Sequence, residues 1–362
     1  MGHGFTPMSA NVRDLSDGHC SHFRIGGIAI ELRGVPDAAP SLERFQVIPA
    51  CNSDIDIQVQ WTETILQGPG SLVFDSGAVW RLFDDDQGLR FDFSAPALGD
   101  RPYRRLRIDD KYCYATIELS GEYFGQGSPA PHPLEYPLDE LLIMHRLTQE
   151  RAIELHGSGI VRTNGEGNLF VGHSGAGKST TTRLWTAREE VEVLSDDRII
   201  VRPDEIRRDA GTEELKSPTC DGGADAVETL RLRDCSALRS DHSAQDDRVK
   251  SEGFAEATSV KSRGMRMYGT PWHGEAMFAS PNSAPLQRIF VLEHGQGNVI
   301  TRLTRSQAVG ELFSRAFVPF HRHEYVESAL SFLEQLADSV PCYRYSFEPD
   351  QRAVDKILHF HD

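Results

Sequence analysis

The sequence predicts an α/β fold in two parts, a β-rich N-terminal domain followed by a P-loop domain, and three observations carry that prediction. Residues 172–180 read Gly-His-Ser-Gly-Ala-Gly-Lys-Ser-Thr, entered from the apolar run Asn168-Leu169-Phe170-Val171 and left through the helical pattern Thr181-Thr182-Arg183-Leu184-Trp185. The next apolar run, 191–194, is a strand pattern that ends in Ser195-Asp196-Asp197. Before residue 130 the chain shows period-two alternation instead, at 23–25, 28–32, 55–61, 79–83, 89–93 and 114–119. Turn signals at Gly26-Gly27, Gly68-Pro69-Gly70 and 84–88 separate those runs, so an antiparallel sheet with one buried face is expected. No catalytic constellation is visible in it.

In order along the chain, a Pro-rich hinge at 128–137 leads into a helix pattern opened by Pro137 and ending near Ala152. Residues 154–161 and 168–171 read as a strand pair joined by the turn 163–167, and the Gly-rich loop follows directly. Residues 203–262 break the pattern, being dense in charge and serine and short of aliphatic runs. They read as a solvated, mobile insertion between two strands, with a functional lid as the alternative. Beyond it come the segment 268–275, a strand at 288–293, helices at 305–317 and 323–338, a strand at 342–347 and a short C-terminal helix. The predicted domains are therefore 1–130 and 131–362.

A length of 362 residues, 39% of them hydrophobic and 25% charged, fits a soluble globular chain with a sizeable core. The net charge of −16 argues against a general nucleic-acid surface. The six cysteines (Cys20, Cys51, Cys113, Cys220, Cys235, Cys342) are scattered without metal spacing and read as reduced thiols of a cytoplasmic protein. No run reaches the length of a membrane span, and Met1-Gly2 followed by Thr6 matches the loose myristoylation pattern without a second anchor.

The loop chemistry is specific. Gly172, Gly175 and Gly177, with Ser174 and Ala176, let successive backbone N–H groups turn toward a phosphate. Lys178 is placed to reach the β/γ-phosphates, Ser179 to put its hydroxyl on Mg²⁺, and Thr180 to follow on the first helical turn, whose N-terminus favours negative charge. Mg·ATP binding is the expectation. Asp196-Asp197 stands where a carboxylate holds the metal of such a site, and two adjacent carboxylates at a strand end diverge, one toward metal and one toward an acceptor. A plain Asp-Asp turn is the alternative. His156, on the preceding strand pattern and followed by Gly157-Ser158-Gly159, is by itself more often a structural histidine.

Together, Leu155-His156-Gly157-Ser158-Gly159-Ile160, the P-loop, Ser195-Asp196-Asp197-Arg198 and Gly269-Thr270-Pro271-Trp272-His273-Gly274-Glu275 resemble the HPr kinase/phosphorylase fold. More narrowly, they resemble the HPr-kinase-related proteins of bacterial biosynthetic clusters. The resemblance covers roughly 137–350. It implies a serine kinase in which Asp196 is the base toward the acceptor and His156 assists. Lys178 and Ser179 would bind phosphate and Mg²⁺, and Asp197 and Glu275 would complete the metal site. The family's catalytic arginine is equally Arg302, Arg305 or Arg315, and the parent family's own downstream signature is not present as such. Trp272 is open between packing and stacking. The partners implied are a nucleotide and a protein or peptide acceptor, with homo-oligomerisation left open. A small-molecule hydroxyl kinase, a non-catalytic nucleotide-binding regulatory or assembly module, and a carboxykinase are the rival readings; both Asp196 and His156 favour an enzyme.

Overall fold

The alternating segments of the first part become eight strands: β1 (Cys20–Ile25), β2 (Ile28–Arg33), β3 (Ile55–Thr62), β4 (Ser71–Asp75), β5 (Trp80–Asp85), β6 (Gly88–Phe93), β7 (Arg104–Ile108) and β8 (Tyr114–Ser120). They form one sheet in the order β1-β2-β3-β8-β7-β6-β5-β4. The computed structural model describes residues 20–35, 40–48, 53–85, 88–99, 101–124, 132–204 and 264–361. The sheet is mixed rather than antiparallel, because β3 pairs in parallel with both β2 and β8. The chain crosses over between β2 and β3, and β8 returns beside β3 only after the β4–β7 meander.

β7 hides in the sequence as Arg-Arg-Leu-Arg-Ile. Two of its arginines, Arg104 and Arg105, are buried because each is matched: Arg105 donates to both oxygens of Asp92 at 2.5 and 2.9 Å. Arg104 lies over the Phe93 ring and donates to the Pro133 carbonyl at 3.1 Å.

After α1 (Gly121–Phe124) comes α2 (Leu138–Leu147), shorter than expected. Its Leu138, Leu141 and Leu142 pack into the core of the first sheet with Phe91 and Leu106, so the helix predicted to open the second domain is built on the first. Most of the predicted insertion, from residue 205 on, lies outside the described residues. Its flanks do not: Asp204 N–H donates to Gly264 O at 2.7 Å.

The second sheet contains β9 (Ile153–Arg162), β10 (Gly167–Val171), β11 (Val191–Ser195), β12 (Arg198–Pro203), β13 (Met265–Tyr268), β14 (Ser283–His294), β15 (Val299–Arg302), β16 (Ala316–Phe317) and β17 (Cys342–Phe347). Its helices are α3 (Lys178–Arg188), α4 (Arg305–Phe313), α5 (His323–Ser339) and α6 (Gln351–Leu358). β10, β14 and β17 run parallel at its centre. The long β9 takes β10, β11, β12 and β16 as antiparallel partners along its length.

Alternation sorts the central side chains between two cores. Leu169, Val171, Ile289 and Val291 join Leu312 and Leu333 of α4 and α5. Phe170, Phe290 and Leu292 join Trp185 of α3 and Ile357 of α6. Each such buried side chain contributes about 1.5–3 kcal/mol. The architecture is a mixed α/β one with two sheets. Among the described residues no helix is long and apolar enough to cross a membrane.

The helix expected at 305–317 stops at Phe313, because Ala316 pairs with Leu155 of β9 instead. Trp272 is a packing residue: it is 6% exposed, and its indole N–H donates to Asp139 Oδ2 of α2 at 2.8 Å.

Burial raises the Asp139 carboxyl from 3.8 to about 7, the indole and backbone hydrogen bonds opposing only part of the rise. The folded state then holds this proton more tightly than the unfolded chain. The stability it confers is full below about pH 4 and is lost as pH rises to about 7, an effect of a few kcal/mol. Asp139→Asn should flatten that part of the pH–Tm curve, and calorimetric scans at pH 4.5 and 8 check it.

Candidate active site

β10 delivers the Gly-rich loop from the middle of the second sheet. Leu169, Phe170 and Val171 have no exposed surface, so the strand end and the loop it carries are held on both faces. The loop needs its glycines. Gly177 has φ +100°, and a Cβ there would stand 2.5 Å from the Phe347 ring; one at Gly172 would stand 2.7 Å from Ala176 Cβ. His173, Ser174 and Gly175 are exposed, Ala176, Gly177, Ser179 and Thr180 half-buried, and Lys178 buried. α3 begins at Lys178 and is tied to β9 by Thr182 and Ser158, whose hydroxyls lie 2.8 Å apart.

Lys178 folds back over the loop, its Nζ donating to the carbonyls of Gly172 at 3.1 Å and His173 at 3.3 Å. Burial, and the charges of Arg198 and Arg315, lower its pKa, while Asp197 and Asp196 oppose them. A strand end, a loop open to solvent around Gly175, a buried lysine and a helix N-terminus fit a polyphosphate. His294 Nε2 hydrogen-bonds the Gly175 carbonyl at 2.7 Å and its ring stacks on Phe347, which steadies the far side of the loop.

The adjacent strand ends supply the titratable groups. His156 of β9 is bonded through its own carbonyl to Gly172 N–H at 3.3 Å, which places it at the start of the loop. The turn from β11 to β12 carries Asp196 and Asp197. Ser195 shapes it, accepting from Asp197 N–H and Arg198 N–H at 3.2 Å each while donating to the Trp272 carbonyl at 3.0 Å.

His156 Nε2 and Asp197 Oδ1 are 2.9 Å apart. Burial would raise the Asp197 carboxyl, but the His156 hydrogen bond and the charges of Arg198, His156 and Lys178 outweigh it and hold the group below the ordinary range. Asp197 is therefore ionised at neutral pH, and it is the imidazole Nε2–H that donates.

Asp196 is placed otherwise than the sequence reading had it. It is 1% exposed, and its Oδ1 accepts N–H groups from Gly274 at 3.0 Å and Phe278 at 3.2 Å, its Oδ2 that of Ala276 at 2.9 Å. Three of the roughly four acceptor positions of this carboxylate are thus taken by backbone N–H groups in a buried setting, which leaves it less free than Asp197 to meet an acceptor. Its work in this structure is to fold residues 274–278 across the strand end. The carboxylate beside His156 is Asp197. Glu275 sits on the turn that Asp196 holds, with its side chain exposed.

Of the three eligible arginines, Arg302 lies 5.7 Å over the Tyr343 ring and Arg305 pairs with Glu334 and Asp338 on the surface. Arg315 alone joins the site: its carbonyl accepts His156 N–H at 2.8 Å, and its charge is the largest cause of a lowered His173 pKa. Glu311 holds the Arg315 guanidinium at 2.7 Å, while its Nε is buried without a hydrogen-bond partner.

Sequence reasoning quoted Arg198 as part of a motif but gave it no role. Its guanidinium bonds Asp197 Oδ2 and Glu140 Oε1, the latter at 2.7 Å, and lies 4.0 Å over the Phe317 ring. No protein-family model matches the chain, and no curated protein matches it.

Proposed function

We propose that the chain is a kinase of the HPr kinase type that transfers phosphate from ATP to a serine hydroxyl of a protein or peptide. The observation that carries this reading is the His156–Asp197 pair, set on the strand ends beside the Gly-rich loop that holds Lys178. A nucleotide-binding module needs the loop and the lysine. It does not need an ionised carboxylate hydrogen-bonded to a histidine at the loop's edge.

In this reading the N–H groups of 174–178 and the Lys178 ammonium hold the phosphates, and the lysine leaves its loop carbonyls to do so. Ser179 and the exposed Glu275 fit a hard cation that keeps most of its waters, since Mg²⁺ is held by one or two protein oxygens plus phosphate oxygens rather than by a full cage. When bound, that ion supplies charge neutralisation on the transferring phosphoryl group.

Asp197 takes the acceptor side. Its oxygens orient the serine hydroxyl and receive its proton as the bond to phosphorus forms, and His156 fixes the carboxylate's direction. Arg315 lies where positive charge can meet the phosphoryl oxygens. Asp196 keeps the 274–278 segment, and so Glu275, in place. Calorimetry with Mg·ATP, followed by transfer from labelled ATP into lysate protein, tests the reading; an absence of nucleotide binding would end it.

A further inference from the structure

We infer that Arg198 is a positioning residue for Asp197, and that Arg198 is itself held by the buried carboxyl pair Glu140 and Glu154. The inference rests on the kinase reading for its kinetic test, and on geometry alone for its structural one.

The guanidinium of Arg198 is fixed from every side. Nε meets Glu140 Oε1 at 2.7 Å and lies 3.5 Å from Glu154 Oε1, Nη1 bonds Asp197 Oδ2, and Phe317 covers one face at 4.0 Å. A planar fork pinned in this way has one orientation, which a lysine cannot reproduce. Asp197 is then gripped at both oxygens, by Arg198 on one and by His156 on the other. The carboxylate cannot rotate away from the imidazole without breaking an ion pair.

Glu154 explains how three carboxyls can share one guanidinium. It has no exposed surface and no well-formed hydrogen bond on either oxygen, only the long 3.5 Å contact of Oε1 with Arg198 Nε and the Glu140 carboxyl beside it, a setting that favours the neutral acid over a second carboxylate. Burial first, and then the charge of Glu140, push its pKa well above the ordinary range, so it is carried as the neutral acid. Glu140 and Asp197 then balance Arg198 and the nearby Lys178. The cluster draws one member from α2, one from β9, one from the β11–β12 turn and one from the start of β12, so it also ties the first sheet's helix to the strand ends of the second.

Three conservative variants test this in the full chain: Arg198→Lys, Glu140→Gln and Glu154→Gln. The first two should lower kcat ~10-fold to 100-fold while leaving KM for ATP within about twofold, because they misplace the acceptor-side base and not the phosphate loop. Glu154→Gln, which reproduces a neutral acid, should keep kcat within about twofold. A crystal structure of Arg198→Lys should show Asp197 turned away from His156.

Unchanged kcat with Asp197 in place in Arg198→Lys overturns the inference, and a large loss in Glu154→Gln overturns the neutral-acid assignment. A wild type that transfers no phosphate defeats the kinase reading. In that case the position of Asp197 in Arg198→Lys still decides the clamp.

Discussion

Lys178→Ala should lower phosphoryl transfer by ~10²–10³-fold or more and weaken nucleotide binding, with the fold retained. The buried side chain turns back on its own loop, its Nζ bonding the carbonyls of Gly172 and His173. Those carbonyls belong to a loop whose shape is set elsewhere, by Gly177 against Phe347 and by His294 on Gly175. Removing the lysine therefore removes a charge from the phosphate site and leaves the loop. The lowered pKa of Lys178 shows what it costs to keep this ammonium buried among Arg198 and Arg315. A polyanion relieves that cost on binding, which is why its loss should be felt most with the nucleotide present. Calorimetry and steady-state turnover, alongside thermal melts, measure the three quantities.

Asp196→Asn and Asp197→Asn should fail in opposite ways. Asp196 accepts three backbone N–H groups while almost wholly buried. An asparagine offers one acceptor oxygen and turns an NH₂ toward one or two of those donors, so unmet buried groups should cost about 1–3 kcal/mol. For a chain of this size that lowers Tm by roughly 1–2 °C per kcal/mol, with the 274–278 segment loosening first. Asp197→Asn keeps its neighbours' shape but loses the charge that His156 and Arg198 hold. Its melt should fall only modestly, through the loss of partly exposed ion pairs, while transfer falls ~10²–10⁴-fold. Melting curves and single-turnover transfer for both variants separate the two. A stable Asp196→Asn with no transfer, beside an active Asp197→Asn, would return the base role to Asp196.

The Gly-rich loop was legible because its fixed positions are chemically demanding, and the strand before it and helix after it stand where the pattern put them. The acidic pair was legible only as a pair. Adjacent carboxylates at a strand end must diverge, but which one turns inward is decided by N–H groups at 274, 276 and 278, across a long intervening segment.

Arg198 was legible as the last residue of the Ser195-Asp196-Asp197-Arg198 motif but not in its role, because its partners come from α2 and β9 and nothing near it in sequence marks Glu140 or Glu154 as buried. The same non-local logic governs the misses in the fold. β7 reads as polar until Asp92 is placed beside it, and the parallel pairing of β3 follows from where the chain returns rather than from any residue in the strand. Ala316 and Phe317 leave the helical pattern because β9 offers backbone partners at that point.

The central claim is phosphoryl transfer to a serine of a polypeptide, and the most direct measurement is incubation of the full chain with Mg²⁺ and γ-labelled ATP in source-cell lysate, followed by phospho-site mapping. Label is expected on serine in a polypeptide, absent with Lys178→Ala and with Asp197→Asn. Tight nucleotide binding with no label transferred to any polypeptide would contradict it.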